Sequence, residues 1–152
     1  MSRLFAISAC FALAFTASAG AAEIEVKMLN QTPSGGRMVF EPNFIKANPG
    51  DTIHFVATDP SHNAESIEGM IPEGATPWKG EFSKDVTVTV DKAGVYGVRC
   101  MPHAGMGMVA LIVVGTDWPN LDEAKKVKNP GGAKKRFDAL FKQAEDMKAG
   151  AQ

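Results

Sequence analysis

Cysteine is nearly absent from this chain: Cys10 and Cys100 are the only two in 152 residues. Histidine is almost as scarce, with His54, His62 and His103 alone. So few sulfurs exclude a disulfide framework, and three imidazoles are too few for a second, histidine-rich metal cluster. Excess charge is missing too. The net charge is −1 and the pI about 6.3, and no long basic run in the β portion suggests a nucleic-acid partner. The longest apolar run, Leu4 to Phe15, is too short to cross a bilayer as a helix.

That run has another meaning. Arg3 precedes it and Ala19-Gly20-Ala21 follows it, the layout of an export signal with a small-residue cleavage site. Ile7-Ser8-Ala9-Cys10 vaguely suits lipidation of Cys10 instead, but would leave an apolar region of only about four residues. Cleavage after Ala21 is therefore expected, with residues 22–152 as a single domain large enough for a real core. Processing removes Arg3, moving the net charge from −1 to −2. It also removes Cys10 and leaves Cys100 alone. A lone exported thiol is either buried and inert or held by a metal.

The mature portion reads as short strands. Glu23 to Leu29 alternates, with Ile24, Val26 and Met28 on one face. Met38-Val39-Phe40 and Phe44-Ile45 are split by Pro42, which marks a break or an edge. Pro49-Gly50-Asp51 turns the chain into a strand from Thr52 to Ala57, in which His54 alternates with Ile53 and Phe55 and so faces solvent. Ile67 to Ile71 reads as a short strand or a helical turn. Val86, Val88 and Val90 alternate with threonines, Val95 to Arg99 returns toward Cys100, and Val109 to Val114 is apolar throughout, as in a strand inside a core. The fold expected is all-β, a Greek-key β-sandwich. Two C-terminal helices should cover its flank. Asn120-Leu121-Asp122-Glu123 resembles a capping box opening the first, at about 120–128. The second, at about 133–148, puts Phe137, Leu140, Phe141, Ala144 and Met147 on one side.

The chemistry-bearing stretch is Cys100 to Met108, C-M-P-H-A-G-M-G-M. By themselves, one Cys, one His and one Met also fit an ordinary core, where a thiol is a small hydrophobe. The single-Cys exported chain, the all-β pattern and His62 in the turn Asp59-Pro60-Ser61-His62-Asn63 favour a metal. Thiolate and thioether are soft donors and imidazole suits copper. Cys100, His103, Met108 and His62 thus supply the His2Cys-plus-axial-Met set of an electron-transfer copper site.

Beyond these residues, A-E-I-E-V-K-M-L-N, M-V-F-E-P, P-G-D-T, the H-N pair, G-M-I-P, G-V-Y-G-V and C-x-P-H-x-G-M-G-M resemble the pseudoazurin family of cupredoxins over residues 22–148. The resemblance implies one type 1 copper held by His62, Cys100, His103 and Met108. Met101, Met106 and Met108 all compete for the axial place, and the longer loop of this family selects Met108. It implies that Asn63 ties the ligand loops together by hydrogen bonding. It further implies a periplasmic carrier of single electrons that transforms no substrate. Its partners would be an upstream donor and typically a copper-containing nitrite reductase as acceptor, with no membrane partner and a monomeric state. Docking is expected at a patch around His103 made of Met38, Pro60, Pro102, Ala104, Gly105 and Met106, with Lys79 and Arg99 as a basic rim. Ser61, Met101 and Ala104 depart from the family's usual residues, and Pro60 replaces a frequent lysine. A copper enzyme would need an open position or a second cluster, and a storage module would need exchangeable ligands.

Overall fold

The computed structural model describes residues 20–150, so most of the expected export signal, residues 1–19, lies outside the described residues. Strand β1 (Glu23–Gln31) forms as its alternation predicts, with Val26 and Met28 buried and Glu25 and Lys27 outside. It pairs antiparallel with β2 (Arg37–Glu41) and parallel with β4 (Asp51–Val56), which pairs in turn with β6 (Val86–Val90). The second sheet has the order β3-β8-β7-β5, built from Phe44–Ala47, Val109–Val114, Gly94–Arg99 and Glu65–Ser66. Here β3 runs parallel to β8 and the other pairs are antiparallel. Pro42 falls where the chain leaves the first sheet for the second. Ile67–Ile71 takes neither expected form: Met70 N–H closes a β-turn on the Ile67 carbonyl, Gly69 at φ 76° keeps that turn from being helical, and the short strand lies just before it.

Between the sheets sit Val26, Met28, Phe40, Ile53 and Phe55 from one side, and Tyr96, Val98, Cys100, Met108, Ala110 and Ile112 from the other. Alternation sends Val109, Leu111 and Val113 of β8 to the opposite face, against Phe137, Leu140, Phe141 and Ala144. Both faces of β8 are therefore covered, which is why its sequence is apolar without a break. Burying a side chain of this size stabilises by about 1.5–3 kcal/mol, so β8 is the best anchored strand and a firm base for the loop before it.

The helices are α1 (Leu121–Lys126) and α2 (Gly131–Gly150). The expected capping box is not formed. Asn120 makes no side-chain cap bond; its Oδ1 accepts Val95 N–H and its Nδ2 donates to Val95 O, both at 2.8 Å. The pairing with β7 competes for the same amide and stitches α1 to the sheet. At the same end of the sandwich, Gly50 (φ 97°) turns the chain into β4. The buried Asp51 carboxylate accepts Ala22 N–H at 2.8 Å and Asn48 N–H at 2.7 Å. Among the described residues, no helix is long and apolar enough to cross a membrane.

Candidate metal centre

The segment after β7 reads as an open loop but folds as a 3-10 helix, Met101–Met106. Pro102 fits its first turn, where an N–H is not needed, and Gly107 ends it at φ 98°, its N–H donating to the Ala104 carbonyl. Cys100 N–H then donates to Met108 O at 3.0 Å, extending the β7–β8 ladder by one bond. The base of the ligand loop is thereby closed, with Cys100 and Met108 both turned into the sandwich interior. Met106 is 58 % exposed, which sets it apart from Met108 in the way expected.

His62 arrives from the β4–β5 connection. Its Nδ1 lies 3.1 Å from His103 Nδ1 and 3.7 Å from Cys100 Sγ, and His103 Nδ1 is 3.4 Å from the same sulfur. Three donor atoms at these separations match ligands sharing one first-row ion at bond lengths of roughly 2.0–2.3 Å. His62 and Cys100 are buried and His103 is half-buried. His54 is elsewhere, on the outer face of β4, 3.9 Å from a Glu23 oxygen and 3.5 Å from an Asp85 oxygen.

Asn30 decides the protonation of His62. Its Oδ1 lies 3.0 Å from His62 Nε2, so Nε2 carries the hydrogen and Nδ1 presents a lone pair to the cluster. Burial pushes the His62 pKa down, His103 adds to that, and Asp59 opposes it. The ring is thus held neutral, as a ligand must be. Burial pushes the Cys100 thiol up; backbone N–H groups of Asn63 and His103 pull it back down, and Glu65 adds a smaller rise. Without a cation the sulfur keeps its proton, so metal binding must release one. Two imidazoles, a cysteine sulfur and the thioether of Met108, buried in the same core cluster as Cys100, fit copper by donor chemistry.

Asn63 does what the sequence suggests. Its Oδ1 accepts Met101 N–H at 2.8 Å, joining the His62 loop to the Cys100 loop. Two further residues hold this region that sequence reasoning did not find. Ser83 donates its N–H to His62 O and accepts Ser61 N–H on its hydroxyl, both at 2.8 Å. Asn30 entered the sequence reading only as the last residue of A-E-I-E-V-K-M-L-N, and nothing local in the sequence couples it to His62.

The expected docking patch needs correction at Ala104. Its side chain is buried against the α2-side core, because the 3-10 helix turns that residue inward. Pro60, Pro102, Gly105 and Met106 are exposed and Met38 is half-buried. Met101 and Phe82, 47 % and 48 % exposed, add apolar surface that the sequence reading did not include. In the rim, Lys79 is exposed, whereas Arg99 Nε is bonded to Glu65 Oε1 at 2.8 Å.

A family model described as copper-binding proteins of the plastocyanin/azurin family matches residues 26–115. The pseudoazurin of Paracoccus pantotrophus is 49 % identical over 138 residues, covering 91 % of this chain and 94 % of that one. The pseudoazurin of Methylorubrum extorquens is 47 % identical over 140 residues, covering 92 % and 94 %. The crystal structure of native pseudoazurin from Hyphomicrobium denitrificans superposes with a TM-score of 0.76 at 49 % identity, covering 80 % of this chain and 97 % of that one.

Proposed function

The chain belongs to the pseudoazurins, within the plastocyanin/azurin family of copper-binding proteins, and from that premise we propose that it is a monomeric periplasmic carrier of single electrons, exported by cleavage after Ala21, with one copper held by His62, Cys100, His103 and Met108. The observation that carries the ligand assignment is the triangle of His62 Nδ1, His103 Nδ1 and Cys100 Sγ, with sides of 3.1, 3.4 and 3.7 Å. Copper, when bound, would supply a one-electron Cu(II)/Cu(I) couple, and the Met108 thioether would tune its potential.

The residues of the chain do the rest. Cys100 gives up its thiol proton and becomes the strongest donor. Asn30 keeps the His62 lone pair aimed inward, and Asn63 holds the two ligand loops at a fixed separation, so little rearrangement accompanies each electron. His103, half-buried where the other donors are buried, brings one ring edge to the protein surface and is the natural exit for an electron. The surrounding apolar patch supports a small interface of the kind transient redox complexes use, typically below ~1,200 Å² in total. The acceptor in this reading is a copper-containing nitrite reductase, and no substrate is transformed on the chain itself.

Copper-loaded protein should be intensely coloured with one copper per chain, and Cys100→Ser should abolish the visible band. Met108→Leu should keep the colour and raise the reduction potential in voltammetry, because a donor that stabilises Cu(II) is lost. Met106→Leu should change neither. A potential that moved with Met106 and not with Met108 would transfer the axial role to Met106.

A further inference from the structure

Asn63 has a fully buried side-chain amide, and a carboxylate two residues on decides which way it faces. Its Nδ2 donates to Glu65 Oε2 and to Gly80 O, each at 3.2 Å, while its Oδ1 accepts Met101 N–H at 2.8 Å. Glu65 is only 4 % exposed, and its other oxygen, Oε1, accepts from Arg99 Nε at 2.8 Å. The contact with Arg99 follows from register, since Glu65 and Arg99 stand opposite each other on β5 and β7. Resting on the copper reading above, we infer that Glu65 is a positioning residue for the metal centre, an acceptor bridge between Arg99 and Asn63 that locks the Asn63 amide onto Met101 N–H.

The chemistry leaves little alternative to a carboxylate. Two donors converge on position 65, Asn63 Nδ2–H from one side and Arg99 Nε–H from the other, and an ionised carboxylate accepts at both ends. An amide of the same shape accepts at one end and donates at the other, so one of the two donors would face a donor. Were Asn63 to flip, its Oδ1 would face the Glu65 oxygen and the Gly80 carbonyl, both acceptors, and its Nδ2 would face the Met101 N–H. Glu65 and Gly80 together therefore exclude the flipped state, and Met101, next to the thiolate residue, stays tied to the loop that carries His62. Arg99 then serves mainly as the counter-charge of a buried carboxylate. Its partial exposure is the remainder of that role.

Two readouts test this, one independent of copper. Amide hydrogen exchange by NMR on the apoprotein follows Met101 N–H, with Val26 N–H in β1 as the internal control. The EPR and visible spectra of the copper-loaded protein follow the site. In Glu65→Gln, Met101 exchange should accelerate by about tenfold, the scale set by the net loss of one buried hydrogen bond, while Val26 keeps its rate and the copper spectra shift. Adding Arg99→Met removes the competing donor, lets Gln present its carbonyl to Asn63, and should return both readouts toward the parent values. Unchanged Met101 exchange in Glu65→Gln would overturn the inference. So would equal acceleration at Val26, which would mark general destabilisation, or a double variant no better than the single. If Met101 responds as expected but the parent protein shows no thiolate-to-copper band, the copper reading fails and takes the positioning role with it.

Discussion

Ser61 adopts a φ of 71° and Ser83 one of 58°, in the left-handed region that costs a residue with a Cβ about 1–2 kcal/mol. Both belong to the pair of loops that hold His62, and the Ser61 N–H to Ser83 Oγ bond fixes them together. Strain of this kind persists where surrounding contacts over-determine the backbone, and here what it secures is the direction of an imidazole. Asn30 secures its tautomer. Replacing Asn30 by Ala removes the acceptor opposite His62 Nε2, and the ring can then place its hydrogen on Nδ1. Copper affinity should fall by roughly 10–100-fold in a competition titration, with the fold retained, since residue 30 is exposed at the end of β1. An unchanged affinity would mean that packing alone orients the ring. The sequence made the four donor candidates legible because cysteine and histidine are rare in this chain and three of the four candidates lie within nine positions. Asn30 was not legible, because its bond to His62 joins residues 32 apart in the chain and is made by tertiary structure alone.

Among the elements, the ones read correctly are those whose pattern is set by burial. The alternation of β1 and the β6 valines, the unbroken β8 and the stripe on α2 each report which neighbour covers which face. The 3-10 helix over Met101–Met106 was hidden because a Pro and two Gly in a nine-residue stretch read as loop, and Asn120 was misread because strand β7 out-competes the helix end for its amide. The helix α2 is more than a cover. Gly131 and Gly132 lie directly on the backbone of Gly105 to Gly107; a Cβ at Gly132 would come within 2.7 Å of Met106 C and 2.8 Å of Gly107 N. Those are backbone atoms, so the helix or the ligand loop must move. Gly132→Ala should lower apoprotein stability by about 1–3 kcal/mol, the usual cost of overpacking, measured by thermal unfolding. It should also shift the EPR parameters of the copper-loaded form. Lost stability with an unchanged EPR signal would mean that α2 yields and the loop does not.

For the whole molecule, the cluster of His62, Cys100 and His103 sits at one end of the sandwich with an apolar surface around it, and little charge is available there to guide a partner. Lys79 forms no ion pair among the described residues, whereas Arg99 is bound to Glu65. Lys79→Glu should therefore slow association with a copper nitrite reductase in stopped-flow measurements and flatten its dependence on salt, leaving the reduction potential nearly unchanged. A rate and salt slope equal to the parent's would move the docking face elsewhere. Far from that end, Asp51 receives the N–H of Ala22. Its pKa is held below the ordinary carboxylate value by the backbone bonds from Asn48 and Ala22, against the opposing effect of burial. A depressed carboxylate contributes stability above its unfolded pKa, about 4, and loses it as pH falls through the folded value. With cleavage after Ala21, as proposed, the donor at Ala22 changes from a neutral amide to an ammonium group, so the precursor and the processed chain differ in the charge facing Asp51. An ammonium raised by this pairing acts in the opposite sense, contributing fully below its unfolded pKa near 8 and fading as pH climbs through the folded one. Protein beginning at Ala22 should accordingly unfold at higher temperature than its Nα-acetylated form at pH 6, and the two should converge once pH has fallen through the depressed Asp51 pKa or risen through the raised ammonium pKa. Equal melting at pH 6 would remove the charge pair from the account. If the difference is found, the peptide cut that releases the chain also creates an ion pair between its new N-terminus and Asp51, and the order of events during export is written into its stability near neutral pH: the chain is less robust while still joined to its leader.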